Sequence, residues 1–240
     1  MRNVAVLLCA VGLVSALSAA PDAGSDTLNL VSKQKGVFTR PPQRVPSRMH
    51  PHDAPILGNG DLVTAFAGKP EYPQFWLTTN DFWEFRSPDK GGAPKSIGRL
   101  VFETPAMADA SYHVEQDFAT ATTTGRFEKD GNTLVIRAWV AATENLLLVE
   151  LSTEKNPLEV RLSFHFPGDE SLGAEKVDAS NPPGNYKRGA KDPVVVETTE
   201  WTDDVLWADR TFDKSVFQPT RLALAARVVD VPVSDGKFTV

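Results

Sequence analysis

The chain reads as an all-β protein, a large antiparallel two-sheet sandwich, and three observations predict it. Leu158 to Phe166 alternates without interruption: Leu158, Val160, Leu162, Phe164 and Phe166 are apolar, and Glu159, Arg161, Ser163 and His165 between them are polar. Period-two alternation sends one set to a buried face and the other toward solvent, which also predicts a surface position for His165. Asp130-Gly131 lies between two β-type runs, Thr120–Phe127 and Thr133–Val140. An Asp-Gly pair supplies the positive φ angles that a two-residue hairpin requires. Finally, strand-like runs recur at short spacing along most of the chain, and no segment carries a capped helical period. Strands at such spacing build antiparallel sandwiches.

The elements follow in order. Arg2 precedes an almost unbroken apolar run, Val4 to Leu17, and Ala16-Leu17-Ser18 places small residues at both cleavage-specifying positions. Residues 1–18 are therefore expected to be an export leader, cut between Ser18 and Ala19. No other stretch approaches the roughly 20 apolar residues of a membrane span. The expected location is secreted or periplasmic, with no membrane attachment after cleavage. Residues 19–50 form a polar arm broken by Pro41, Pro42 and Pro46, and the sandwich is expected over 51–240.

Within the sandwich, Gly58-Asn59-Gly60 is a tight turn, because Gly and Asn tolerate positive φ. Asp61 to Ala67 leaves it as a strand. A short strand, Gln74 to Leu77, is expected to be closed by the polar pair Asn80-Asp81 and the aromatic hook Phe82-Trp83. Further strands are expected at Ile97–Phe102, Tyr112–Asp117, Leu146–Ser152, Val194–Thr199, Val205–Phe212 and Leu222–Val229. Residues 167–193 are a long loop rich in Gly, Pro, Asn and Lys. Loops of that length inside a compact domain are functional or mobile. Ser234-Asp235-Gly236 is a second turn, and Lys237 to Val240 starts a strand. A hairpin arm of four residues predicts a sandwich that is incomplete at its C-terminus.

Composition narrows the function classes. The 240 residues are 41% hydrophobic and 23% charged, ordinary values for a protein with a buried core. A net charge of −6 argues against nucleic acid or an anionic membrane surface as partner, since both require basic patches. Cys9 is the only cysteine and lies within the leader, so a mature chain has no thiol for disulfides, nucleophilic catalysis or metal ligation. No phosphate-binding glycine loop, nucleotide fingerprint or Ser-His-Asp array is present, and no cofactor is expected.

Pro55 to Trp83 carries a more specific signal: a proline-led Gly58-Asn59-Gly60 turn, a small-residue strand, and the hook Asn80-Asp81-Phe82-Trp83. Tyr112-His113-Val114-Glu115-Gln116-Asp117-Phe118-Ala119-Thr120-Ala121 is similar to a Y-x-x-E-L-D-L-x-T-A segment, with Gln116 and Phe118 at its two leucine positions, and Glu144 to Leu151 forms the next strand. This order, spanning Pro55 to Phe166, resembles the N-terminal domain of the family 95 glycoside hydrolases, the α-L-fucosidase-like enzymes. Asp61 stands where that family often has a basic residue, and the hook is shortened. The resemblance implies a super-sandwich, with a linker and a helical catalytic barrel beyond Val240. It also implies that the acid and water-activating residues reside on that barrel, so no catalytic residue is expected here. The function implied is a non-catalytic sandwich that braces the barrel of an exported glycoside hydrolase and is inactive alone. The partners implied are carbohydrate and that absent domain. A stand-alone carbohydrate-binding or scaffolding module is the alternative from another class.

Four residues are candidates for a substrate- or interface-facing edge: Asn59, Asn80, Asp81 and Trp83. Tyr72, Phe75, Trp76, Phe82, Trp83 and Phe85 crowd around them. Aromatic rings beside amide and carboxylate groups suit the apolar faces and hydroxyl rims of sugars, and equally suit a core or a domain contact. His113, Glu115 and Asp117 share one strand face, read as a solvent-facing polar side. His50-Pro51-His52-Asp53 has a metal-like spacing but lacks the three or four converging ligands of a site. No metal is expected.

Overall fold

The computed structural model describes residues 4–9, 30–43, 53–85, 92–166, 195–212 and 220–240. Among them, strands build two antiparallel sheets that face each other and do not close into a barrel. In chain order the strands are β1 (Val4–Cys9), β2 (Lys35–Phe38), β3 (Ile56–Gly58), β4 (Leu62–Ala67), β5 (Gln74–Phe85), β6 (Gly92–Glu103), β7 (Ser111–Asp117) and β8 (Thr122–Lys129). They continue as β9 (Asn132–Val140), β10 (Leu146–Thr153), β11 (Glu159–His165), β12 (Val195–Thr202), β13 (Val205–Phe212), β14 (Thr220–Val229) and β15 (Lys237–Thr239). The larger sheet runs β12-β13-β14-β1-β10-β9-β8-β7-β2, and the smaller runs β15-β11-β6-β5-β4-β3.

Turn chemistry sets several of these pairings. Asp130 and Gly131 take φ of 51° and 73° between β8 and β9, and Asp235 and Gly236 take 50° and 74° before β15. Both pairs supply the two positive φ angles of a type I′ hairpin, whose twist matches that of the flanking strands. β11 lies between β6 and β15, and its expected apolar set turns inward: Val160, Leu162 and Phe164 are buried. Inward residues of both sheets share one core. Phe66 of β4 stacks on Phe75 of β5 with ring centroids 4.8 Å apart, and lies 6.5 Å from Phe127 of β8 in the facing sheet. Burying each such ring contributes about 2–3 kcal/mol.

A charge crosses this core. Leu206, Ala208 and Arg210 share the inward face of β13, and the Arg210 side chain is only 4% exposed. Its Nε lies 3.0 Å from Glu197 of β12, and its Nη1 donates to the Ser96 carbonyl of β6 at 2.7 Å. Removing an ion from water costs several kcal/mol, which only a close counter-ion and hydrogen bonds offset.

Three expectations need correction. β5 runs unbroken to Phe85, so the hook lies inside a strand rather than after a short one. Its pairing with β6 shifts between Leu77 and Thr78 and again between Thr78 and Trp83, and such bulges spread one long strand into segments that look separate. The arm over 19–50 contains β2, which pairs with β7 at the sheet edge. His165 faces outward as its parity demands, but is 9% exposed rather than at the surface. Parity decides the face a side chain takes, not what covers it. Separately from these corrections, Val4–Cys9 of the expected leader pairs with β10 on one side and β14 on the other, which leaves the leader reading as it stands. The remainder of the leader, His50 and His52, and the loop 167–193 lie outside the described residues.

Candidate functional site

The turn between β3 and β4 is held by several side-chain hydrogen bonds among the described residues. Asn59 Oδ1 accepts the backbone amides of Asp61 (3.0 Å) and Leu62 (2.9 Å), a local turn that a short amide side chain makes readily. Asn59 Nδ2 donates outward to the carbonyls of Ala141 (3.0 Å) and Glu144 (2.9 Å), between β9 and β10 of the other sheet. Asn145 of that same connection donates to Asp61 Oδ2 at 2.6 Å. One asparagine thus sets the turn and links it to the facing sheet.

The hook closes on the same turn. The Asn80 backbone amide donates to the Asp61 carbonyl at 3.1 Å, and its side-chain amide donates to the Gly60 carbonyl. Trp83 Nε1 donates to the Asn80 carbonyl. The Trp83 carbonyl accepts from Thr220 Oγ1 of β14 at 2.9 Å, a further tie between sheets. A bulge makes this possible. While β6 advances from Ser96 to Pro94, β5 advances from Thr78 to Trp83, so the extra residues arch over the turn. Pro94 suits that place because it has no amide to donate to a ladder.

The structure therefore gathers Asn59, Asn80 and Trp83 around Gly60 and Asp61. Asp81 lies in the arch and is exposed, while Phe82 beside it is buried in the core. Of the aromatic cluster, Phe75 and Phe82 are core, and Tyr72, Trp76 and Trp83 are half-buried. The result is one edge with a fixed amide frame, an exposed carboxylate and a half-buried indole.

The other singled-out residues lie elsewhere. His113 Nε2 is 3.1 Å from Glu115 Oε1, Lys35 Nζ is 3.3 Å from Glu115 Oε2, and their side chains are about 40% exposed or more. Hydrogen bonds from His113 and then Lys35 hold the Glu115 carboxyl below the usual range. Asp117 Oδ1 accepts the amides of Ala119 and Thr120, and the Thr120 bond lowers its pKa most. This face is solvated. Asp53 Oδ2 accepts the Gln43 amide at 2.9 Å. Among the described residues, no group of three or more His, Cys, Asp or Glu could hold a metal ion.

Two polar features escaped sequence reasoning. On the outward face of the smaller sheet, Trp76, Arg99 and His165 stand in one cross-strand row. The Arg99 guanidinium lies 5.3 Å from the Trp76 ring centre and donates to Gln74 Oε1 at 3.3 Å. Ser163 Oγ approaches His165 Nε2 at 3.0 Å and Glu103 Oε1 at 3.3 Å. Arg99 is only 2% exposed, so the row offers no open cation to a ligand. Only the register of β5, β6 and β11 assembles it, and no local motif announces that register. The second feature is Tyr112, whose buried hydroxyl has no hydrogen-bond partner among the described residues. Burial, reinforced by the nearby Asp53 charge, pushes its pKa up.

The fold and this edge together define a β-sandwich whose best-formed polar frame belongs to a turn and an arched strand. No family model matches the chain, and no curated protein matches it either.

Proposed function

We propose that the chain is the N-terminal, non-catalytic super-sandwich of an exported glycoside hydrolase of the α-L-fucosidase-like type. Its role is to brace a helical catalytic domain lying beyond Val240, and the edge carrying Asn59, Asn80, Asp81 and Trp83 faces that domain or one wall of its sugar site. The observation supporting this reading is the clasp at Gly60 and Asp61. Two motifs twenty residues apart, the G-N-G turn and the N-D-F-W hook, meet there, and the hook is tied to the facing sheet through Trp83 and Thr220. A rigid edge that still presents Asp81 and a half-exposed indole suits a contact with a second surface.

A stand-alone carbohydrate-binding module is the second reading. The exposed carboxylate beside an indole favours it, because such a pair can meet both a sugar hydroxyl and a sugar face. Purified chain incubated with aryl α-L-fucosides discriminates the roles. The bracing reading expects no turnover and no saturable binding of fucose-type glycans. Saturable binding without turnover would favour the module, and turnover would overturn both.

A further inference from the structure

Of the five tryptophans, four are engaged by a neighbour. The Arg99 guanidinium lies 5.3 Å from the Trp76 ring centre, and the Arg137 guanidinium 5.2 Å from that of Trp139. Trp83 Nε1 donates to the Asn80 carbonyl, and Trp201 packs against Gly236. Trp207 differs: it is 49% exposed, and among the described residues no cation or aromatic ring lies on it. Strand parity places it on the outward face of β13, since Leu206 and Ala208 on either side are buried. β14 beside it buries Leu224, Ala226 and Val228 and so presents Arg221, Ala223, Ala225 and Arg227 outward. Ala225 pairs with Trp207, and Ala223 with Asp209. A methyl group cannot reach over an indole, so β14 leaves the ring uncovered. The two arginines that flank the alanines are held by carboxylates instead. Arg221 Nε donates to Asp209 Oδ2 at 2.7 Å, and Arg227 Nε donates to Asp204 Oδ2 at 2.9 Å. Both arginine side chains remain more than half exposed.

We propose that this face is a binding platform for a neutral, glucan-type saccharide chain, with one pyranose ring stacked on Trp207 and the adjoining rings bonded to the two arginine–aspartate pairs. The charges select the ligand. Each guanidinium is balanced by its own carboxylate, and the exposed Glu200, cross-strand neighbour of Trp207 on β12, adds a negative charge. A polyanion, nucleic acid included, is repelled there. An apolar protein surface would have to desolvate both ion pairs, which costs more than the indole returns. A pyranose with equatorial hydroxyls meets neither obstacle, because it offers apolar C–H faces to the ring and hydroxyls at its rim. A guanidinium has five N–H donors, so one engaged with a carboxylate still has donors for those hydroxyls, and the aspartates still have lone pairs. Arg221 and Arg227 stand six residues apart on one strand, about 20 Å, a span that suits a chain of sugars rather than a single one. The platform lies on the outward face of the larger sheet, whereas the clasp at Gly60 is carried by the smaller sheet, so the proposal does not depend on the bracing reading.

The test titrates the full chain with cellohexaose, a neutral glucan oligosaccharide without fucose, while the indole N–H signals are followed by NMR. The absence of fucose keeps this result separate from the α-L-fucoside assay. Saturable one-to-one binding with a Kd of about 1 mM is expected, with the Trp207 indole signal shifted and that of Trp83 unmoved. Trp207→Ala should weaken binding at least about tenfold at an unchanged denaturant midpoint, and Trp207→Phe should keep part of the affinity. No saturation by about 10 mM would overturn the proposal, as would a Trp207→Ala variant that binds as well as the parent. A shift at Trp83 in place of Trp207 would overturn it too, by moving the sugar to the clasp. Sedimentation supplies the last outcome: a dimer that Trp207→Ala dissolves would mean that a second copy covers the ring, and the platform would be an interface instead.

Discussion

Asn59 and Ala141 belong to facing sheets, and the side-chain amide of the first donates to the carbonyl of the second at 3.0 Å. The same side chain accepts the amides of Asp61 and Leu62, so both ends of one short residue are in use. Replacing it removes a turn former and an inter-sheet tie together. Asn59→Ala is expected to destabilise the chain by about 2–3 kcal/mol, read from denaturant midpoints. Asp81→Ala, in the exposed part of the same edge, should change stability by less than about 0.5 kcal/mol. Equal effects would mean that the clasp does not hold the edge.

The buried ion pair should show strong coupling. Arg210→Met removes the guanidinium 3.0 Å from Glu197, whose side chain is only 13% exposed, and should cost about 3 kcal/mol. Adding Glu197→Leu should recover a good part of that loss, because the carboxylate that faced the guanidinium is then gone as well. A double variant as unstable as the sum of the singles would show that the two do not interact across β12 and β13.

Tyr112 provides a pH test. Its pKa is raised in the folded state, so the fold holds the phenol proton more tightly than the unfolded chain does. That contribution is complete below the unfolded pKa of about 10 and declines above it, by up to about 1.4 kcal/mol per pH unit. Tyr112→Phe should remove this alkaline slope. At neutral pH it should cost nothing, or stabilise by up to about 1 kcal/mol, because the buried hydroxyl has no partner among the described residues. Unfolding midpoints of both proteins between pH 7 and about 11 check the sign. A large neutral-pH loss in the variant would show that the hydroxyl is bonded after all.

Much of the fold was legible because turn chemistry and parity are local. Asp130-Gly131 and Asp235-Gly236 each specify a hairpin by backbone preference alone, and the alternation over Leu158–Phe166 names the core face of β11. The hook was misplaced because a bulge breaks the alternation of β5 and imitates a strand end. β2 was missed because a four-residue edge strand carries little apolar signal. At the candidate site, sequence named the residues but not their bonds. The meeting of Asn80 with Gly60, and of Asn59 with Ala141, depends on sheet pairing and packing. The row of Trp76, Arg99 and His165 depends wholly on register, which no single strand encodes.

Trp83 separates bracing from sugar contact. In the complete gene product, Trp83→Ala removes a half-buried ring whose carbonyl side is tied to Thr220 and whose indole is tied to Asn80. Bracing predicts a stability loss of about 2 kcal/mol with KM for an aryl glycoside unchanged. A raised KM at unchanged stability would instead place the ring against the sugar.

The central claim, that this sandwich belongs to a longer glycoside hydrolase, is tested most directly by determining the coding sequence past Val240. The account predicts an open reading frame that continues into a linker and a helical domain carrying a pair of acidic residues suited to glycoside hydrolysis. A stop codon directly after Val240, or a continuation without such a domain, would contradict it.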